Sequence, residues 1–366
     1  MDIGAKLRTA RNASGYKLRK AAQESGIGES SISEFENSKR EPKFSQLSRL
    51  AEIYRKPIEY FLSEEPIIED VMLWRDEPNT EEETKKTEAE FRQLCEQYQK
   101  LEVLTGGAKR LKLPEPDVVE AREFDFNKAE LFAKQVQDKF RLGDIPIASL
   151  KQILEEVYYI KIFYLDFVGS AISIVSDKFG PAILLNERNK QWRRSYDLAH
   201  ELFHILTWDL FRPEAKKVRE DEEKFANAFA SRLLMPEESI KDKIKASISE
   251  NDQISFDQLD DIARKYDVSL EALIYRIASV YRFKREDTEK YTDAAKKYLE
   301  SCKPRLSDKP NKLPERYCDL AQRALREGKL SLMQFRKYMG ISYKEAQEYL
   351  MEDEDFKDDK ISISVA

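Results

Sequence analysis

Histidine is almost absent from this chain: 366 residues hold two. Cysteine is nearly as scarce. Cys95, Cys302 and Cys318 are scattered and odd in number, which argues against a disulfide framework or a cysteine-built zinc site and fits reduced thiols. No apolar run approaches the roughly 20 residues that cross a bilayer. The opening Met1-Asp2-Ile3-Gly4 does not read as a secretory signal. The expected location is therefore the cytoplasm, with no membrane partner. Repeats and low-complexity tracts are also missing. Charge is abundant instead: 36% of residues are Asp, Glu, Lys or Arg, and the mean hydropathy is -0.66. This describes a solvated, helix-rich chain, long enough for two or three domains.

The net charge of -6 is unevenly spread. Residues 1–62 carry 12 Lys/Arg against 8 Asp/Glu, so the basic head sits on an acidic body. Apolar stripes at Ile3, Leu7 and Ala10, at Leu18, Ala21 and Ala22, and at Leu47, Leu50, Ala51 and Tyr54 predict short helices. Gly26-Ile27-Gly28 supplies a tight turn, which completes a helix-turn-helix plan. IGAKLRTARNASGYKLRKAAQESGI, SSISEFENSKREP and LSRLAEIYRKPIEYFL resemble the XRE (lambda-repressor-like) DNA-binding family over residues 1–63. The resemblance implies that Ser30, Ser31 and Ser33 lie on or near a recognition helix and Lys39 and Arg40 near phosphates. DNA is then the expected partner of this head. Lys17-Leu18 stands where the family usually has Ser-Gln, and Glu29, Glu34 and Glu36 make the presumed reading helix acidic.

Residues 64–116 read as a helical linker. Phe91, Leu94, Tyr98 and Leu101 form a stripe of about two heptads, short of a coiled coil. A connecting helix is expected, with homodimerisation as the alternative. Residues 117–284 read as an α+β domain: helices near 126–141 and 147–157, then β-like runs at 159–167, 171–175 and 182–185, then more helices. The 182–185 run is a candidate exposed edge for binding an extended peptide by strand addition. Residues 287–366 form a helical C-terminal region with an acidic tail. Within it, Leu330 to Leu350 read as packing against the α+β domain, with a second helix-turn-helix-like element as the alternative.

The two histidines are His200 and His204, in the string HELFH. Chance puts two histidines at this spacing around an acidic residue about once in a thousand sequences of this composition. At positions i and i+4 of a helix both imidazoles reach one metal ion. Glu201 between them can serve as general base toward a metal-bound water. Over residues 192–208, Leu198, Leu202, Ile205 and Leu206 fall within about 100° of one another, while His200 and His204 fall near 200° and 240°. A catalytic zinc needs a third protein ligand. No histidine is left, so Asp, Glu or Cys must provide it. In EKFANAFASRLLMP, Glu223, Ala226, Asn227, Ala230 and Leu234 share one helix face, and small alanines let Glu223 approach the ion. Glu222 and Asp221 compete on charge but project elsewhere. Arg193 and Tyr196, seven and four residues before His200, are candidates for stabilising the oxyanion. Asn227 is a candidate for orienting a ligand.

HELFH followed by ExxA is the gluzincin arrangement, and RRSYDLAHELFHILTW…EKFANAFASRLLMP resembles the ImmA/IrrE metallopeptidase family, as does QLDDIARKYDVSLEALIYRI. The resemblance covers about 117–284. It implies a zincin-like α+β fold with a small sheet, zinc held by His200, His204 and Glu223, and catalysis by Glu201. Phe203 replaces the glycine common in the family's HELGH and is expected to narrow or reshape the pocket. The implied function is a zinc-dependent endopeptidase with a DNA-binding head, cleaving an XRE-type repressor, or itself, in transcriptional regulation. The alternatives are a helix-turn-helix regulator whose peptidase-like domain senses a ligand or partner with little proteolysis, and an antitoxin-like binding protein.

Overall fold

The computed structural model describes residues 3–62, 70–107, 110–118, 120–212, 218–248, 253–302, 305 and 309–355. The part of the predicted acidic tail after Asp355 lies outside them.

Five helices build the head: α1 (Ile3–Ala13), α2 (Leu18–Ser25), α3 (Glu29–Glu36), α4 (Phe44–Ile53) and α5 (Ile58–Leu62). The predicted stripes meet in one small core of Leu7, Ala10, Ala21, Ile32, Phe35, Leu47, Leu50, Tyr54 and Phe61. Gly26 ends α2 at φ 66°, a left-handed conformation that glycine adopts without a Cβ penalty. Gly4 answers a different need. A Cβ there would lie 2.4 Å from the Phe35 carbonyl oxygen, so α1 and α3 pack at backbone distance.

The stretch predicted as a linker is structural. It provides a strand, β1 (Leu73–Arg75), and the 24-residue helix α6 (Glu81–Leu104). Then come α7 (Phe126–Phe140), α8 (Ile147–Glu156), β2 (Lys161–Leu165), β3 (Ala171–Ser176), β4 (Gly180–Asn186) and α9 (Gln191–Leu206). α10 (Trp208–Phe211), α11 (Glu220–Leu234), α12 (Glu237–Ser247), α13 (Phe256–Lys265) and α14 (Leu270–Tyr281) follow. α15 (Arg285–Ser301), α16 (Glu315–Arg326), α17 (Leu332–Met339) and α18 (Tyr343–Asp355) end the described chain. The fold is mainly helical around one four-stranded sheet of order β1-β3-β4-β2, in which β2 runs parallel to β4 and the other pairings are antiparallel. No described helix is long and apolar enough to cross a membrane.

Strand alternation sorts the sheet's side chains into two cores. Ile162, Tyr164, Ala171, Ile183 and Leu185 face α9, α11 and α7. Phe163, Leu165, Ile172, Ile174, Ala182 and Leu184 face α6 and the C-terminal helices. The Phe91-Leu94-Tyr98-Leu101 stripe packs into this second core, together with Tyr317, Leu325 and Phe335, and so is spent inside the chain rather than on a dimer. The expectation of an exposed edge at 182–185 is overturned. β4 lies between β3 and β2 with all seven residues buried, and its unbroken apolar run is the pattern of a strand covered on both faces. The head rests on α6 through Arg55–Glu90 at 2.9 Å and Lys56–Glu96 at 3.5 Å.

Candidate metal centre

α9 runs under the sheet with its apolar residues Leu198, Leu202, Ile205 and Leu206 in the core, as the helical periodicity predicts. Its other face is buried too, because α11 lies against it. His200, Glu201 and His204 are 0%, 1% and 2% exposed. Phe203 does not enter a pocket. It packs with Phe124, Phe211 and Phe229 and sets its ring edge-on to His204, supporting that imidazole from behind.

The two imidazole Nε2 atoms lie 3.2 Å apart. Glu223 brings Oε2 to 3.2 Å from His200 Nε2 and Oε1 to 3.5 Å from His204 Nε2. A tetrahedral ion with bonds of about 2.0–2.1 Å holds its ligand atoms roughly 3.4 Å apart, so these three donors fit a zinc-sized ion. The small residues predicted to allow this are in place: Ala226 and Ala230 are buried in the α9–α11 contact.

Each imidazole is oriented from its far side. Asn227 Oδ1 lies 3.1 Å from His200 Nδ1, and because the Arg75 guanidinium also donates to this oxygen (3.4 Å), it acts as acceptor. His200 Nδ1 then carries the hydrogen and Nε2 presents its lone pair. Glu222 Oε1 plays the same part for His204 Nδ1 at 2.9 Å, and Arg212 clamps the Glu222 carboxylate. Glu222 was expected to project elsewhere. It does point away from the ligand cluster, but into the back of the second histidine. The rule that a ligating histidine needs a partner on its other nitrogen is the signal that could have found it.

Electrostatics separate the four groups. Burial pushes His200 down to about 3. Burial also opposes charge on His204, but hydrogen bonds to Glu222 and Glu223 outweigh it and lift that group to about 9. On Glu223 burial is likewise outweighed, and both imidazoles hold the carboxyl well below the usual carboxylate range. Glu201 is the exception: burial pushes it up to about 7 against His204, Ser173 and Arg75, which favour its charge. The Ser173 hydroxyl acts on it, yet no hydrogen bond of full geometry reaches either buried carboxylate oxygen.

The two oxyanion candidates are already engaged. Arg193 pairs with Asp197 at 3.1 Å and with Asp76 at 3.3 Å, and donates to the Ser170 hydroxyl. The Tyr196 hydroxyl donates to the Asn227 carbonyl at 3.0 Å. Arg75, which the sequence did not single out, crosses from β1 to pair with buried Asp197 at 2.7 Å and lies over the Tyr196 ring. In the head, Ser30, Ser31 and Ser33 lie on α3 with Lys39 and Arg40 exposed just beyond it. Of the three glutamates on α3, Glu36 turns inward to Arg11 and Glu34 pairs with Arg40, so α3 is less acidic than its sequence.

A helix-turn-helix module joined to a zincin-like domain with a three-donor site is thus the class that fold and geometry define. Comparison with known proteins agrees: residues 7–61 match the helix-turn-helix family, and residues 155–278 match the peptidase M78 family, described as the IrrE N-terminal-like domain. The chain carries an XRE-type helix-turn-helix followed by an ImmA/IrrE-type peptidase domain. It is also similar to the HTH-type transcriptional regulator ImmR of Bacillus subtilis (strain 168), at 30% identity over 67 residues. That match takes in 18% of this chain and about half, 53%, of the relative.

Proposed function

We propose that this chain is a zinc-dependent endopeptidase governed by a DNA-binding head, and that it regulates transcription by cutting an XRE-type repressor. One observation carries the reading: three donor atoms at tetrahedral spacing stand beside a buried carboxylate whose oxygens have no hydrogen-bond partner. His200, His204 and Glu223 hold the ion; Asn227 and Glu222 fix the imidazoles that face it. A zinc ion held there would supply Lewis acidity toward a peptide carbonyl and toward water near neutral pH. Glu201, free to accept, takes the proton from the attacking water and returns it to the leaving amine. Tyr196, once its hydroxyl leaves the Asn227 carbonyl, provides the nearby O–H group from which oxyanion stabilisation is drawn, with Arg193 holding Asp197 in place. In the head, the serines of α3 meet base edges, and Lys39 and Arg40 meet phosphates.

The burial of His200, Glu201 and His204 favours a second reading, a regulator whose peptidase-like domain binds a partner without hydrolysis. The deciding experiment incubates zinc-loaded wild type and Glu201→Gln with candidate XRE-type repressors and follows fragments by mass spectrometry. Cleavage by wild type alone supports the peptidase. Equal metal content with no cut in any repressor, or in the chain itself, while operator DNA is still shifted, selects the second reading.

A further inference from the structure

The sheet edge beside the candidate metal centre is occupied by the chain itself. β1 pairs with β3 in the register Leu73↔Ser173, Trp74↔Ile172, Arg75↔Ala171. Directly opposed residues of an antiparallel ladder send their side chains to one face. Ala171 belongs to the core under α9 and Ile172 to the core under α6. Leu73 and Arg75 therefore face the metal helix, and Trp74 faces away. The contacts agree. Arg75 reaches Asp197 and Asn227, whereas the Trp74 indole N–H donates to Glu88 of α6 at 2.9 Å. Leu73 is 2% exposed and sits opposite Ser173, whose side chain acts on the Glu201 carboxyl.

This contact is short. β1 has three residues and covers only Ala171–Ser173, while Ile174, Val175 and Ser176 pair with β4 alone. An extended peptide that added to β3 would have those three positions as its foothold. It would replace β1 by pairing along the whole strand.

Resting on the peptidase reading, we propose that β1 is an internal, displaceable stand-in for the substrate. The true occupant of the β3 edge is an extended peptide with an aliphatic residue opposite Ser173 and a basic residue two positions later, opposite Ala171. The structure supplies the chemistry for each position. The aliphatic side chain takes the buried place of Leu73. The basic one takes over the ion pair with Asp197, a carboxylate that would otherwise lose one of its two arginines inside the protein.

The test tethers β1 on the face away from the metal helix. Trp74→Cys with Ile172→Cys places two thiols at directly opposed positions, in a Cys302→Ser/Cys318→Ser background. Binding of a fluorescent peptide copying residues 71–77 is followed by anisotropy in zinc-free protein. The reduced form is expected to bind, and the oxidised form at least tenfold more weakly. A peptide carrying Glu at the Arg75 position is expected not to bind. Equal binding by oxidised and reduced protein, or by both peptides, overturns the proposal. If the tethered protein does not fold, Arg75→Ala provides the same decision: faster amide exchange along β3 and tighter peptide binding support displacement, and unchanged values overturn it. A zinc-loaded arm separates the two ideas. Cleavage at equal rates by oxidised and reduced protein sinks the stand-in and leaves the peptidase standing. Redox-dependent peptide binding with no cleavage of any repressor keeps the stand-in and sinks the peptidase.

Discussion

In the head, Glu36 is 5% exposed and takes hydrogen bonds from Arg11 at 2.6 and 2.9 Å. In the peptidase-like domain, Glu201 is 1% exposed and no hydrogen bond of full geometry satisfies it. Both carboxylates pay for burial, but only one recovers the cost from a partner. The paired group ties α3 to α1 and so belongs to the architecture of the head. The unpaired one stands within a turn of two imidazoles whose free nitrogens converge, and its cost makes sense if its partner arrives with the reaction. A third buried glutamate, Glu155 on α8, sharpens the contrast. One of its oxygens is also without a hydrogen bond, yet no metal-binding cluster among the described residues includes it. Burial without a partner therefore does not make a site; convergence with other donors does.

The contrast breaks most visibly at Glu201. Glu201→Gln is expected to lower cleavage by about 10²–10⁴-fold with zinc content unchanged by mass spectrometry; a variant that cuts as fast as wild type removes Glu201 from the chemistry. Arg11→Met leaves Glu36 buried without its main partner. It should destabilise the head by about 3–5 kcal/mol, read by denaturant unfolding, while cleavage per folded molecule stays constant. Asn227→Ala takes away the acceptor on His200 Nδ1 and should weaken zinc binding by roughly 10–100-fold in a chelator competition, with the fold intact by circular dichroism.

An effect of opposite sign is expected at Glu155. Burial, reinforced by Glu315 and Glu156 and opposed by Lys151, pushes it up to about 7. A carboxyl with a raised folded-state pKa costs nothing while protonated in both states, below about pH 4.5; the cost builds between about pH 4.5 and 7 and stays constant above, where both states are ionised. Glu155→Gln removes that cost. The variant should match wild type near pH 4 and exceed it by the order of 2–3 kcal/mol at pH 8. Parallel stability curves across that range would show that Glu155 is already solvated or paired in solution.

Much of the site was legible because its parts are local. The His200–His204 spacing and the Glu223–Ala226–Asn227–Ala230 face depend on one helical period, and helices keep that period wherever they pack. The apolar face of α9 and the strands 171–175 and 182–185 were readable for the same reason. Other features depend on which distant segments meet. The role of Glu222 follows from how α11 is rotated against α9, and that of Arg75 from a strand pairing across about a hundred residues. A three-residue strand such as β1 has too few positions to show a period of its own. The edge expected at 182–185 failed because sequence shows that a strand is apolar, not which neighbours flank it.

What the sequence determined by itself is a helix-turn-helix head and a helix that sets two imidazoles and a carboxylate on one side. These follow from backbone periodicity, capping and turn chemistry, which act over a few residues. Tertiary structure alone decided which strand lies at the sheet's edge, that the segment after the head closes it, and that Glu201 is buried without an ion pair. Those outcomes depend on register and burial between segments far apart in the chain, where the cost of desolvating a charge is set by whatever the fold brings beside it.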